Sequence, residues 1–163
     1  MSKNLYEKMN DQMNLEYESA FIYKAMSAWC AEEDFEGAER WLTLQYEEEI
    51  EHGEKFRNFL HDIDHKTSFT GMEPAKSEFA SLLEVFELAL EHEKLITKRI
   101  QELYKQAVEE SNYEAQVFLN WFIEEQVEEE AHVGAVVSKL QKIGDSPSGL
   151  FMFDAVLGKR GSH

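Results

Sequence analysis

Two glutamate-histidine tetrads, Glu49-Ile-Glu-His52 and Glu129-Glu-Ala-His132, and two single glutamates, Glu16 and Glu93, are the residues through which this chain can do chemistry. On a helix, side chains at i and i+3 share a face, so each tetrad can aim a carboxylate and an imidazole at one point. Such donors suit both ferrous and ferric iron. A pair of Glu-x-x-His tetrads with one glutamate from each of two further helices is the donor pattern of a di-iron carboxylate site in a helical bundle. Taken alone, any one of these acids is better read as a solvated surface residue, and one tetrad is a weak match among 33 acidic residues. Two tetrads with matching single glutamates are a specific signal.

Four long helical segments must carry these groups, at roughly 4–33, 36–64, 78–110 and 113–143, followed by a short apolar segment at roughly 148–158. Gly37 follows the acidic turn Glu32-Glu33-Asp34, Gly71 and Pro74 lie in the second connection, and Gly144, Pro147 and Gly149 end the fourth segment. A 4-3 spacing picks out an inward stripe in each segment. The first runs through Met9, Met13, Glu16, Ala20, Tyr23, Ser27 and Cys30, and the second through Ala38, Leu42, Gln45, Glu49, His52, Phe56, Phe59 and Ile63. Leu82, Phe86, Ala89, Glu93, Ile96, Ile100 and Leu103 form the third; Ala115, Leu119, Phe122, Gln126, Glu129, Val133, Val136 and Leu140 form the fourth. Every stripe is apolar with acid near its middle. At 1.5 Å of rise per residue the acids of antiparallel neighbours fall level, so all four can meet in one layer. Unpaired carboxylates in a dry core cost several kcal/mol each, and a metal cation is the natural compensation.

Connection lengths set the topology. The first and third are two or three residues, which makes their helices antiparallel neighbours, whereas the second spans up to roughly 40 Å when extended. That matches the length of a helix, so the second loop crosses the bundle and starts the third helix parallel to the second. The expected fold is all-α, a single domain over residues 1–163: a ferritin-like four-helix bundle with one long crossover loop and a short fifth C-terminal helix.

Composition narrows the partners. A formal charge of −17 with no basic patch beyond Lys159-Arg160 argues against nucleic acid. No run approaches the roughly 18 apolar residues of a membrane span, and the opening MSKNLYEKMNDQMN lacks a signal pattern, so a soluble, cytoplasmic protein without membrane contact is expected. A single cysteine, Cys30, leaves no CxxC module for electron transfer.

The stretches MNLEYESAFIYKAMSAWC (13–30), EEEIEH (47–52), EHEKLITKRI (91–100), FLNWFIEEQVEEE (118–130) and GLFMFD (149–154) resemble the signatures of heme-free bacterial ferritins, in order and over nearly the whole chain. The resemblance implies that Glu16, Glu49 and His52 hold one iron, that Glu93 and Glu129 complete a second, and that Glu49 bridges. It places Tyr23 and Gln126 beside the site as catalytic groups, with Trp121 a further aromatic neighbour, and gives Glu48, Glu125 and Glu128 to an extra iron position. His132 departs from the usual pattern and is more like bacterioferritin, where that histidine ligates the second iron. Ile50 stands where the bacterioferritin heme would need a methionine, so no heme is expected, and Met26 reads as core filler.

The implied activity is that of a ferroxidase: ferrous iron is oxidised by O2 or H2O2 and stored as ferric mineral inside a hollow homo-oligomer of 24 subunits. Leu150, Phe151, Phe153, Val156 and Leu157 make the tail segment too apolar to stand alone, which suits packing against copies of itself. Exposed acids such as Glu33, Glu36, Glu47 and Glu51 suit drawing iron in. The last six residues, GKRGSH, read as disordered or appended. A di-iron peroxidase of the rubrerythrin or bacterioferritin type and a bundle that merely sequesters divalent metal are the competing classes.

Overall fold

Each helix starts where a polar side chain can satisfy its first amides. In the computed structural model, which describes residues 3–161, the Asn4 side chain accepts from the Glu7 amide at 2.9 Å. Glu7 accepts in return from the Asn4 amide, a capping box that opens α1 (Leu5–Glu32). Ser81 caps α3 (Leu82–Glu109) through the Glu84 amide at 3.1 Å, which starts this helix some residues later than its hydrophobic spacing suggests. Asn112 caps α4 (Tyr113–Ile143), and Ser146 with Pro147 opens α5 (Pro147–Leu157). The start of α2 (Glu36–Asp62) is different: its N-cap, Phe35, has no side chain that can accept. Asp154 of α5 does so instead, taking the Gly37 amide at 3.0 Å and the Ala38 amide at 2.8 Å.

Short turns close the two antiparallel hairpins, α1 with α2 and α3 with α4, and each turn puts one residue in the left-handed region: Asp34 (φ 62°) and Ser111 (φ 52°). Between the hairpins the chain crosses along α1. Asn10 exchanges hydrogen bonds with both the carbonyl and the amide of Ser68, and Asn14 accepts from the Thr70 amide and donates to the same Ser68 carbonyl, so side chains of α1 fasten the loop at these two residues without secondary structure of its own.

The predicted stripes of α1, α3 and α4 are buried throughout. In α2 the stripe holds as far as Phe56 and then rotates, with Leu60 buried while Phe59 and Ile63 remain partly exposed. The core divides in two. One apolar cluster gathers Trp29, Trp41, Phe86 and Leu140 near α5, the other Met9, Phe56, Ile100 and Leu119 at the opposite end. A belt of buried polar side chains separates them. Among the described residues no helix is long and apolar enough to cross a membrane.

The tail is ordered further than its composition suggests. Phe153 and Leu157 are buried, and Gly158, Lys159 and Arg160 continue in a turn held by hydrogen bonds to Asp154, Val156 and Leu157. The expectation of disorder for GKRGSH is therefore wrong up to Arg160, because backbone turns and contacts with α2 supply what the bare sequence does not; Ser162 and His163 lie outside the described residues.

Candidate metal centre

The belt is built from one or two side chains per helix. α1 supplies Glu16 and Tyr23, α2 supplies Glu49 and His52, α3 supplies Glu93, and α4 supplies Gln126 and Glu129. None of the seven is more than 2% exposed, so these groups interact at low dielectric with little screening. Three sets of donor atoms lie within 4.8 Å of one another: Glu16 with Glu49 and His52, Glu49 with Glu93 and Glu129, and His52 with Glu125 and Glu129. Glu49, His52 and Glu129 each belong to two sets, so the groups overlap into one centre.

Neutral donors orient the carboxylates. The Tyr23 hydroxyl donates to Glu93 Oε1 at 2.6 Å, and the Gln126 amide donates to Glu93 Oε2 at 3.1 Å and to the Thr97 hydroxyl at 3.1 Å. Gln45 donates to Glu49 Oε1 at 3.1 Å and to Glu129 Oε2, while Gln12 donates to Glu16 Oε1 at 3.3 Å. Gln45 and Gln12 have no place among the site residues expected from sequence. Their signal is the i, i+4 spacing that puts each on the face of the acid it supports and, for Gln45, its place in the inward stripe of α2.

Charge is unevenly shared within the belt. Burial pushes the Glu49 and Glu129 carboxyls well above the usual carboxylate range, and the nearby Glu93 charge adds to the rise at both. Glu93 is pushed up to about 7, by burial first, against the hydrogen bonds from Tyr23 and Gln126. Glu16 goes the other way: burial raises it, but the proximity and charge of His52, aided by Glu49 and Gln12, outweigh burial. His52 is driven well above the ordinary imidazole range, since Glu49, Glu125 and Glu16 overcome its desolvation. Tyr23 is also pushed well up by burial and carboxylate charge, which keeps its phenol protonated as a donor.

The donor set fits a cation. Glu16 Oε2 and His52 Nδ1 are buried without a hydrogen-bond partner, and His52 Nδ1 lies 3.3 Å from Glu49 Oε2 and 3.9 Å from Glu16 Oε2. Four carboxylates, Glu16, Glu49, Glu93 and Glu129, and one imidazole converging in this way can exchange protons for metal ions.

At the rim, Glu125 Oε2 lies 3.5 Å from His52 Nε2, and the Trp121 ring meets His52 edge-on at 5.4 Å between centroids. Glu48 is buried beside the centre and paired with Arg160, while Glu128 is exposed. His132 does not join the ligand groups. It is exposed and lines a recess with Trp41, Lys139 and Arg160, because the buried stripe of α4 runs through Gln126, Glu129 and Val133 and leaves His132 to one side. Cys30 is buried in the apolar cluster near α5, and burial pushes its thiol up to about 12.

The chain is similar to known proteins in sequence and fold. The model of the ferritin-like domain family matches residues 6–143. A probable bacterial non-heme ferritin-like protein of Haemophilus influenzae is 40% identical over 97% of this chain and 96% of its own length. A bacterial non-heme ferritin of Staphylococcus aureus is 39% identical over 98% of this chain and 96% of its own. Among solved structures, an open-pore ferritin of Archaeoglobus fulgidus superposes with a TM-score of 0.95 at 34% identity, covering 99% of both chains.

Proposed function

The chain belongs to the ferritin family, and on that premise we propose that it takes up ferrous iron, oxidises it in the buried acidic belt and stores the ferric product inside a hollow assembly of its own copies. The observation that carries this reading is the overlap of three donor groups at one level of the bundle. Glu16, Glu49 and His52 would bind one ferrous ion, Glu93 and Glu129 a second, with Glu49 between them. Each ion gives up one electron. With two protons, the pair of electrons reduces one O2 to H2O2, or one H2O2 to two waters.

The protein's own part is to hold geometry and manage protons. Glu49, Glu93 and Glu129 release protons as ferrous ions enter, while Tyr23, Gln126, Gln45 and Gln12 keep their hydrogens and fix the carboxylate oxygens. Glu48, Glu125 and Glu128 are read as an extra iron position at the rim, and the approach of Glu125 to His52 supports that reading for Glu125. His132 stays outside the ligand set. With Ile50 in place of a ligating methionine, the protein is read as heme-free.

Storage requires an enclosed volume. Phe151, Met152 and Val156 of α5 are exposed at 79%, 70% and 53%, which suits burial against other subunits, as a 24-subunit shell would provide. Size-exclusion mass measurement combined with ferrous oxidation at rising iron per subunit tests the proposal. A large hollow particle that oxidises and retains many ions per subunit is expected. A small oligomer that consumes peroxide and retains no iron would favour the peroxidase reading instead, and metal binding with no ferrous-dependent consumption of oxidant would mark a sequestering bundle.

A further inference from the structure

Beyond α5 the chain turns back onto α2 and is fastened there. Arg40 donates through Nη1 to the Gly158 carbonyl at 3.1 Å and also to the Arg160 carbonyl, while Asp154 caps the start of the same helix. These contacts aim the Arg160 side chain along α2. Its guanidinium lies 4.2 Å over the Trp41 ring, donates to the Trp41 carbonyl at 3.0 Å and reaches Glu48 Oε1 at 3.1 Å. The Arg160 and Glu48 side chains are each only 11% exposed, so solvent screens this pair less than a surface pair.

Glu48 directly precedes Glu49 in the chain, so the pair sits at the edge of the buried centre. A guanidinium and a metal ion satisfy the same carboxylate chemistry, and they repel one another across it. In a chain with twice as many acidic as basic residues, a carboxylate here has many ways to remain solvated or to face cations from solution. Instead it carries a cation supplied by the chain's own tail. We propose that Arg160 is a tethered counter-cation on Glu48 that a metal ion must displace, so that the C-terminal tail sets how readily iron occupies the rim of the centre. This rests on the reading of Glu48 as an iron ligand.

Zinc, which is redox-inert, separates binding from turnover. Calorimetric titration of the assembled protein with Zn(II) is expected to resolve two tight ions per subunit and a weaker third. Arg160→Gln should strengthen the third by roughly threefold to tenfold, the range expected for losing a competing ion pair, and leave the first two unchanged. Arg160→Lys should remain close to the parent. A third affinity that is unchanged or weaker in Arg160→Gln overturns the proposal, leaving Arg160 as a packing residue. Glu48→Gln distinguishes the underlying reading: third-ion binding is lost if Glu48 is a ligand, and a third ion bound as before overturns that reading and the proposal with it.

A second measurement leaves Arg160 in place and so does not depend on the stability of its variants. With Trp29→Phe and Trp121→Phe leaving Trp41 as the one indole of the sequence, its emission should change with the third equivalent of zinc, as the guanidinium leaves its ring, and little with the first two. A Trp41 signal flat through the third equivalent overturns displacement.

Discussion

Gln45 is the side chain on which the belt depends without being a ligand. It spans Glu49 and Glu129 from one amide, so its loss leaves two buried carboxylates without their common donor. Gln45→Leu is expected to weaken zinc or ferrous binding by roughly tenfold to a hundredfold, the usual effect of removing an outer-shell partner, with helix content unchanged. Calorimetry and circular dichroism on one preparation check both halves; unchanged affinity would mean that the glutamine is filler. The charges of the belt also set a pH dependence. Glu49, Glu129 and His52 have raised folded pKa values and Glu93 is raised to about 7, so their contribution to stability is full below the unfolded values and lost as pH rises through the folded ones. Glu16, held low, contributes in the opposite sense above about 4.5. The metal-free protein should therefore lose belt stability as pH rises from about 4.5 through about 7, where Glu93 gives up its proton, and further beyond it. Zinc should raise the melting temperature more at pH 8 than at pH 5.5, where protons compete for the same oxygens. Equal stabilisation at both pH values would contradict this picture.

Cys30 offers a separate check at the same scale. Its burial and raised pKa predict no reaction with a thiol reagent at pH 8 in the folded protein and full reaction after denaturation.

At the scale of elements, the decisive joint is between α2 and α5. A Cβ at Gly37 would lie 1.7 Å from the Asp154 carbonyl oxygen, a clash with backbone that no rotamer relieves. Gly37→Ala is therefore expected to push α5 off its seat, exposing Phe153 and Leu157, whereas Asp154→Ala removes only the borrowed cap, at about 1 kcal/mol. Thermal unfolding of the two variants should rank Gly37→Ala as the more damaging. The reverse order would mean that α5 tolerates displacement.

For the whole molecule, the exposed apolar side of α5 matters most. Phe151→Asp places a charge where subunits are expected to meet and should shift the assembly toward smaller species by size exclusion, while the far-ultraviolet spectrum stays helical. An intact large shell would show that this face lies outside the contact. Iron retention should fall with assembly size even where the belt remains intact, since oxidation belongs to a subunit and storage to the enclosed volume.

Periodicity alone determined four helices, their inward faces and the coincidence of acids at one level, because burial of an apolar stripe at 3.6 residues per turn leaves little choice of rotation. It also brought Glu16, Glu49, His52, Glu93 and Glu129 forward as one group. What spacing could not decide was what lies just off the stripe. His132 shares a tetrad with Glu129 yet faces the tail recess, since the buried stripe of α4 runs through Gln126, Glu129 and Val133, whereas that of α2 takes in both Glu49 and His52. Gln12, off the stripe, reads as an ordinary polar residue until the fold turns it onto Glu16, and Gln45, on the stripe, gives no sign of its second partner until α4 brings Glu129 to it. Asp154 and Arg160 lie more than a hundred residues from the partners they hold, Gly37 and Glu48. Local pattern carries no information about such pairs; the docking of α5 on α2 created them.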